Sequence, residues 1–224
     1  MTRAYFVTGT DTDVGKTTIS AGLLHRARQQ GRSTAACKPL ASGCANTAEG
    51  LRNSDALSLW AQCSLPLSYA QVNPVALAPA IAPHLAAQEV GLRLEVATLC
   101  ASIDQVLALD ADVTLVEGAG GWRVPLSPTQ WLSELAVALQ LPVILVVGVR
   151  LGCINHARLS YESIVQDGLP VAGWVANVID PSTARLIDNL ATLQQVLPVP
   201  CLGIVPHLLD PSAEAVSAYL ELPA

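Results

Sequence analysis

Apolar residues in this chain fall into short, aliphatic runs separated by longer stretches in which they recur every three or four positions. The first run, AYFVT around Val7, leads through a glycine-containing turn into a helical pattern over residues 17–30, closed by Gly31. Further strands are predicted at 34–38 (TAACK), 113–117 (VTLVE), 143–149 (VILVVGV), 171–176 (VAGWVA) and 201–205 (CLGIV). Helical patterns lie between them, at about 53–62, 95–109, 131–140, 154–167, 183–196 and 212–221. Several strands are aliphatic at nearly every position rather than at alternate ones. Both of their faces must then be covered, as in a parallel sheet between two helix layers. The pattern predicts an α/β fold: a single three-layer domain over residues 1–224 with a mostly parallel central sheet. No internal repeat or linker-like segment marks a boundary. The proline-rich stretch 64–84 reads as an excursion over the surface near a ligand site.

Composition narrows this picture. Hydrophobic residues make up 51% of the 224 and charged ones 13%, which excludes a disordered chain or a coiled coil. Eighteen acidic against twelve basic residues leave a net charge of −6, with no basic run to track a nucleic-acid backbone. Residues 135–149 come closest to a membrane span, but they are too short and are interrupted by Gln140, Pro142 and Gly148. The stretch 56–88 lacks Asp, Glu, Lys and Arg, yet Pro66, Pro74, Pro79 and Pro83 forbid one long helix. The opening MTRAYFVTGTD has no sustained apolar signal region, so a cytoplasmic location is expected. Six cysteines never form a CxxC pair and four histidines are scattered, which points to reduced thiols rather than to a zinc site or a disulfide framework.

The segment GTDTDVGKT, residues 9–17, sits between the first strand and the first helix, where a phosphate-binding loop belongs. There the N–H groups of the turn and helix start converge, Lys16 adds a positive charge and Thr17 offers a hydroxyl to Mg²⁺. Together they suit a triphosphate within a P-loop NTPase fold. The usual pattern has glycine at position 10, where this chain has Thr10 after Gly9, so the loop is a variant. Asp11 and Asp13 would repel phosphates; they make sense if they point towards a metal or a cationic substrate, or cap the helix at the surface.

Three further residues reach the same edge if the sheet is parallel. Glu117 ends an aliphatic strand and is followed by Gly118, Ala119, Gly120 and Gly121, whose small size lets amides approach a ligand. It either reaches a metal or sits solvated in a tight turn. Asp55 lies near a helix start, where it serves the helix dipole or a metal equally well. Lys38, at the end of the second strand, is either solvated or a second cation beside Lys16 for a transferred phosphoryl group.

In combination the motifs YFVTGTDTDVGKT, KPLASG, EGLRNSDAL, VNP, LVEGAGGW, LPVILVVGVRLGCINHA and GWVAN resemble, in the same order, those of the dethiobiotin synthetase family. The resemblance implies an Mg-ATP-dependent ligase of biotin biosynthesis. One amine of 7,8-diaminononanoate takes up CO₂ as a carbamate, ATP phosphorylates it, and the second amine closes the cyclic urea, releasing ADP and phosphate. It also implies catalysis by positioning and charge neutralisation rather than by a nucleophilic triad.

Carried over by motif, Lys16 and Lys38 are the catalytic cations. Asp13, Val14, Gly15, Lys16, Thr17, Thr18, Asp55, Glu117, Gly118, Ala119 and Gly120 surround the nucleotide phosphates, with Mg²⁺ on Thr17, Asp55 and Glu117. Asn177 and Val178 meet the adenine, an Asn amide offering both donor and acceptor, and Pro206, His207 and Leu208 pack on it. Thr12 and Ser42 contact the diamine or its carbamate. The resemblance further implies a homodimer in which Gly152, Cys153, Ile154 and Asn155 bind the substrate carboxylate across the subunit interface, at a helix start suited to an anion. Asp13 stands where relatives often have Glu. The acidic ribose contact falls on either Asp210 or Glu214, and the match is weak from 180 to 197. The main alternative is a P-loop switch ATPase of the partitioning type, which typically carries K-G-G-x-G-K-T; here that stretch reads TDTDVGKT. A second is a related ATP-dependent ligase acting on another substrate.

Overall fold

The computed structural model describes residues 3–223. Its centre is a parallel sheet of six strands: β1 (Arg3–Gly9), β2 (Thr34–Cys37), β7 (Val113–Glu117), β8 (Val143–Val149), β9 (Val171–Val178) and β10 (Cys201–Val205), in the spatial order β10-β9-β8-β1-β7-β2. Four short strands lie outside it: β3 (Leu40–Ala41) pairs with β6 (Val75–Ala76), and β4 (Ala45–Thr47) with β5 (Gly50–Arg52). Every residue of β2, β7 and β8 is buried, as a sheet covered on both faces requires. Burying each Val or Leu of β8 stabilises the fold by roughly 1.5–3 kcal/mol.

Helices cover both faces. On one, α1 (Lys16–Gln29) and α9 (Ala213–Ser217) pack over Val7, Leu115, Ile144 and Val175. These two helices meet so closely at Gly22 that a β-carbon there would lie 2.6 Å from Val216. On the other face α5 (Val96–Leu107), α6 (Ser133–Ala138), α7 (Cys153–Gln166) and α8 (Leu186–Val196) cover Phe6, Val116, Leu145 and Trp174. The three layers and the parallel sheet are those the sequence pattern predicts.

Because all six strands run the same way, their C-terminal ends share one edge. The register fixes what meets there: Val7 lies opposite Glu117, Cys37 opposite Val116, Gly148 opposite Asn177, and Asn177 opposite Val205. The chain runs from β1 to β2 and β7 on one side of it and then crosses from β7 to β8 on the other, so the loop after β1 opens into the kind of crevice where α/β folds hold ligands.

The stretch 64–84 departs from expectation. It does approach the ligand cleft through Ala80, Ile81, Ala82 and Pro83, but it is not a surface excursion throughout. It forms α3 (Tyr69–Val72), β6 and the start of α4 (Pro83–Glu89), and Leu67, Tyr69, Val72 and Leu77 are part of the core. The helix α2 (Ser54–Trp60) precedes it. Prolines stop any long helix here, as expected, yet the apolar residues between them still bury. The last helix also closes earlier than its sequence pattern suggests, at Ser217.

Candidate active site

Gly15 turns the phosphate loop. Its φ of 85° is one that side-chain-bearing residues rarely adopt, and a β-carbon there would meet Asn177 Nδ2 at 2.2 Å. Asn177 Nδ2 donates to the Val14 carbonyl at 2.9 Å, which ties the loop to the end of β9. Val14 itself is buried against Gly9 and Gly148, so it supports the loop from below. Helix α1 starts at Lys16 with no acidic residue in its first turn, leaving its positive end free for an anion.

Lys16 Nζ donates to the Asp11 carbonyl at 3.0 Å, curling over the loop. Burial pulls its pKa down to about 8, and the Lys38 ammonium adds to this, while Glu117 opposes it. Phosphates favour the charged form, so above pH 8 ATP binding must take up a proton. The dissociation constant of ATP is expected to rise between pH 8 and 9.5, approaching tenfold per pH unit, in calorimetric titrations at fixed ionic strength. A flat profile would show that Lys16 stays charged throughout.

Glu117 is fully buried and stands at the centre of the site. Its Oε1 accepts from Thr17 Oγ1 at 2.7 Å and from Lys38 Nζ at 2.7 Å, and Lys38 Nζ also lies 3.2 Å from Asp55 Oδ2. Burial pushes the Lys38 ammonium towards its neutral form, but Glu117 and Asp55 outweigh that effect and raise its pKa above the ordinary lysine value. Lys38 is therefore a buried, charged cation rather than a solvated strand end. Glu117 is not a solvated turn residue either. Asp55 sits in the first turn of α2, whose N-cap is Asn53, so the capping hydrogen bond belongs to its neighbour and Asp55 is free to face Lys38.

Lys16, Thr17, Lys38, Asn53 and Asp55 border a cleft of about 910 Å³ that also takes in Thr12, Asp13, Thr18, Ser42, Ala119, Gly120 and Arg123. Thus Thr12, Asp13, Gly15, Lys16, Thr17, Thr18, Lys38, Ser42, Asp55, Ala119 and Gly120 share one wall system, with Glu117 beneath it. Gly118 is held against the Phe6 ring, where a β-carbon would be 3.1 Å away. Val178 is buried behind Asn177, while Pro206, His207 and Leu208 follow β10, whose Val205 pairs with Asn177. Asp210 and Glu214 are both exposed beyond them.

Asp11 is tied up within the protein. Its Oδ2 accepts from Arg150 at 2.6 Å and its Oδ1 from the Thr12 N–H at 2.8 Å, bracing the phosphate loop against the end of β8. Asp13 is exposed at the cleft with φ 57°. Gly152, Cys153, Ile154 and Asn155 do not line this cleft. They open α7 next to Leu151, which is 97% exposed. Sequence reasoning missed Arg150, Arg123 and Asn73; Asn53, directly before the first turn of a helical pattern, carried a readable N-cap signal.

A family model described as an AAA domain matches residues 3–215. Among curated proteins the chain is 66% identical over 219 residues to the ATP-dependent dethiobiotin synthetase BioD of Pseudomonas aeruginosa, covering 98% of this chain and 96% of that protein. It is 57% identical over 220 residues to the protein of the same name from Cellvibrio japonicus, with 98% and 96% covered. Among solved structures, a ParA family ATPase from Chlorobium tepidum superposes with a TM-score of 0.56 at 12% identity, over 98% of this chain and 91% of that one. The Aquifex aeolicus MinC:MinD cell division complex gives 0.58 at 14%, over 96% and 87%. At such identities the structural likenesses show the fold alone.

Proposed function

Because this chain belongs to the family of ATP-dependent dethiobiotin synthetases and is an enzyme of biotin biosynthesis, we propose how its residues divide the work. One amine of 7,8-diaminononanoate adds to CO₂ and loses a proton, leaving a carbamate. A carbamate oxygen attacks the γ-phosphorus of ATP as the bond to ADP breaks. The second amine attacks the carbonyl carbon of the mixed anhydride, the C–O bond to phosphate breaks, a proton is released, and the cyclic urea is closed.

Each step gathers negative charge or releases it, and the site supplies fixed cations rather than a nucleophile. Lys16, Thr18 and the N–H groups around Gly15 hold the phosphates. Lys38 faces the carbamate and the phosphoryl group in transfer, where a buried preorganised charge acts most strongly. Thr12 and Ser42 contact the diamine or its carbamate from the cleft wall. Asn177, Val178, Pro206, His207 and Leu208 meet the adenine, at the edge where β9 and β10 end. The observation that carries this reading is the meeting of Thr17, Lys38 and Asp55 around the buried Glu117 within one cleft.

The same residues suit Mg²⁺. Glu117 Oε2 is buried without a hydrogen-bond partner, and a hydroxyl with two carboxylates is the hard-oxygen set this ion prefers, few enough to leave room for phosphate oxygens. Thr17, Asp55 and Glu117 would hold it, and it would neutralise phosphate charge. Asp55→Ala is expected to raise the Mg²⁺ concentration for half-maximal turnover several-fold, up to about the 10–100-fold scale of weakened metal sites. An unchanged titration would reduce Asp55 to a helix-end residue.

We also read the enzyme as a homodimer in which the start of α7 serves the partner's site. The exposure of Gly152 and Asn155 away from their own cleft supports this, as does that of Leu151 and Leu159 beside them, while Cys153 is buried in the core. A cytoplasmic setting fits the six free cysteines among the described residues, and no helix among these residues is long and apolar enough to cross a membrane. The direct test is whether ADP release requires both the diamine and CO₂ and matches dethiobiotin formation one for one. Turnover indifferent to the diamine would overturn the proposed division of labour.

A further inference from the structure

Lys38 directly follows β2 and Asp55 lies in α2, and neither element alone sets the distance between them. The structure joins their backbones through three buried polar side chains. The Tyr69 hydroxyl accepts from the Asn53 N–H at 2.7 Å and lies 3.1 Å from Asn73 Oδ1, to which it donates. Asn73 Nδ2 then donates to the Lys38 carbonyl at 2.8 Å, while the Lys38 N–H donates to the Val72 carbonyl at 2.7 Å. At the other end Asn53 caps α2, its Oδ1 accepting from the Ala56 N–H at 3.1 Å, directly after Asp55. Asn53, Tyr69 and Asn73 are all buried.

We infer that Tyr69, with Asn53 and Asn73, is a positioning device that grips the backbone at Lys38 and at the first turn of α2, and so sets the Lys38–Asp55 geometry at the reaction cleft. The inference rests on the roles proposed above for Lys38 and Asp55. The tyrosine ring is held independently of its hydroxyl: the Arg52 guanidinium lies 4.2 Å from its centroid, and Trp60 packs against it edge-on at 5.9 Å. The hydroxyl is thus spare for packing and committed to the link. In a satisfied buried network, removing one member leaves its partners without a compensating bond and lets the joined elements drift.

Tyr69→Phe keeps the ring and removes only this link. Because the phosphate loop is untouched, kcat is expected to fall roughly tenfold or more, the scale of a small misplacement of a reacting group, while KM for ATP stays within about twofold. Melting temperature is recorded in parallel, and Asn73→Ser gives the same split of kcat from KM and decides the matter if Tyr69→Phe does not fold. A kcat within about twofold of the parent in a folded variant would overturn the inference. So would a fall in kcat matched by an equal rise in KM for ATP, which marks general loosening. Lys38→Ala is measured alongside. Loss of activity there with full activity in Tyr69→Phe removes the positioning device alone, whereas full activity in Lys38→Ala removes the underlying reading of the site as well.

Discussion

Lys38→Ala is expected to lower kcat by at least ~10²-fold, the scale for deleting one preorganised electrostatic stabiliser. The Lys38 ammonium is buried between Glu117 and Asp55, at 2.7 and 3.2 Å, so its charge acts in surroundings that screen it little. The same substitution has a structural consequence that must be separated from the chemical one. It leaves Glu117 buried without its cation, and breaking such a pair typically costs about 3–5 kcal/mol. For a chain of this size that lowers the melting temperature by on the order of 10 °C. Adding Glu117→Gln to Lys38→Ala removes the stranded charge while keeping the shape of the side chain. The double variant is expected to recover most of the melting temperature and none of the turnover. Recovery of both would assign Lys38 to stability alone.

The second large effect belongs to Lys16→Ala, expected to reduce kcat/KM for ATP at least ~10²-fold. Lys16 differs from Lys38 in how it is held: its Nζ rests on the Asp11 carbonyl of its own loop, not on a carboxylate. No buried anion is stranded when it goes, and desolvation of its charge is relieved. The melting temperature should therefore hold or rise as activity collapses, the opposite sign to Lys38→Ala. Binding of an ATP analogue, followed by calorimetry, should weaken in parallel with the loss in kcat/KM. Unaltered nucleotide affinity would place Lys16 outside the phosphate site.

Much of this was legible from residue order because the principal signals were local. The six strands are runs of aliphatic residues, and a parallel sheet sends all their ends to one edge. That single deduction brought Lys38 and Glu117 beside Lys16 and Thr17, and their hydrogen bonds follow from the register of β1, β2 and β7. Asp55 stayed ambiguous, since a carboxylate in a helix's first turn needs no further reason to be there; its 3.2 Å approach to Lys38 brings it to the cleft, and the Mg²⁺ titration of Asp55→Ala decides between the two readings. What escaped was non-local. Arg150 answers Asp11 across 139 positions of chain, a pairing that no spacing rule anticipates. The core contribution of Tyr69, Val72 and Leu77 was hidden by prolines that break every period around them, and with it the hydrogen-bonded group behind Lys38.

In the proposed reaction one sheet edge brings the triphosphate, the divalent ion and the diamine into contact. A crystal structure with a non-hydrolysable ATP analogue, Mg²⁺ and 7,8-diaminononanoate tests it most directly. The metal is expected on Thr17, Asp55 and Glu117, with Lys38 Nζ within hydrogen-bonding distance of the γ-phosphoryl group or the carbamate. A complex in which the diamine lies outside the cleft of Thr12, Ser42 and Lys38, or in which Glu117 and Lys38 contact neither metal nor phosphoryl group, would contradict it.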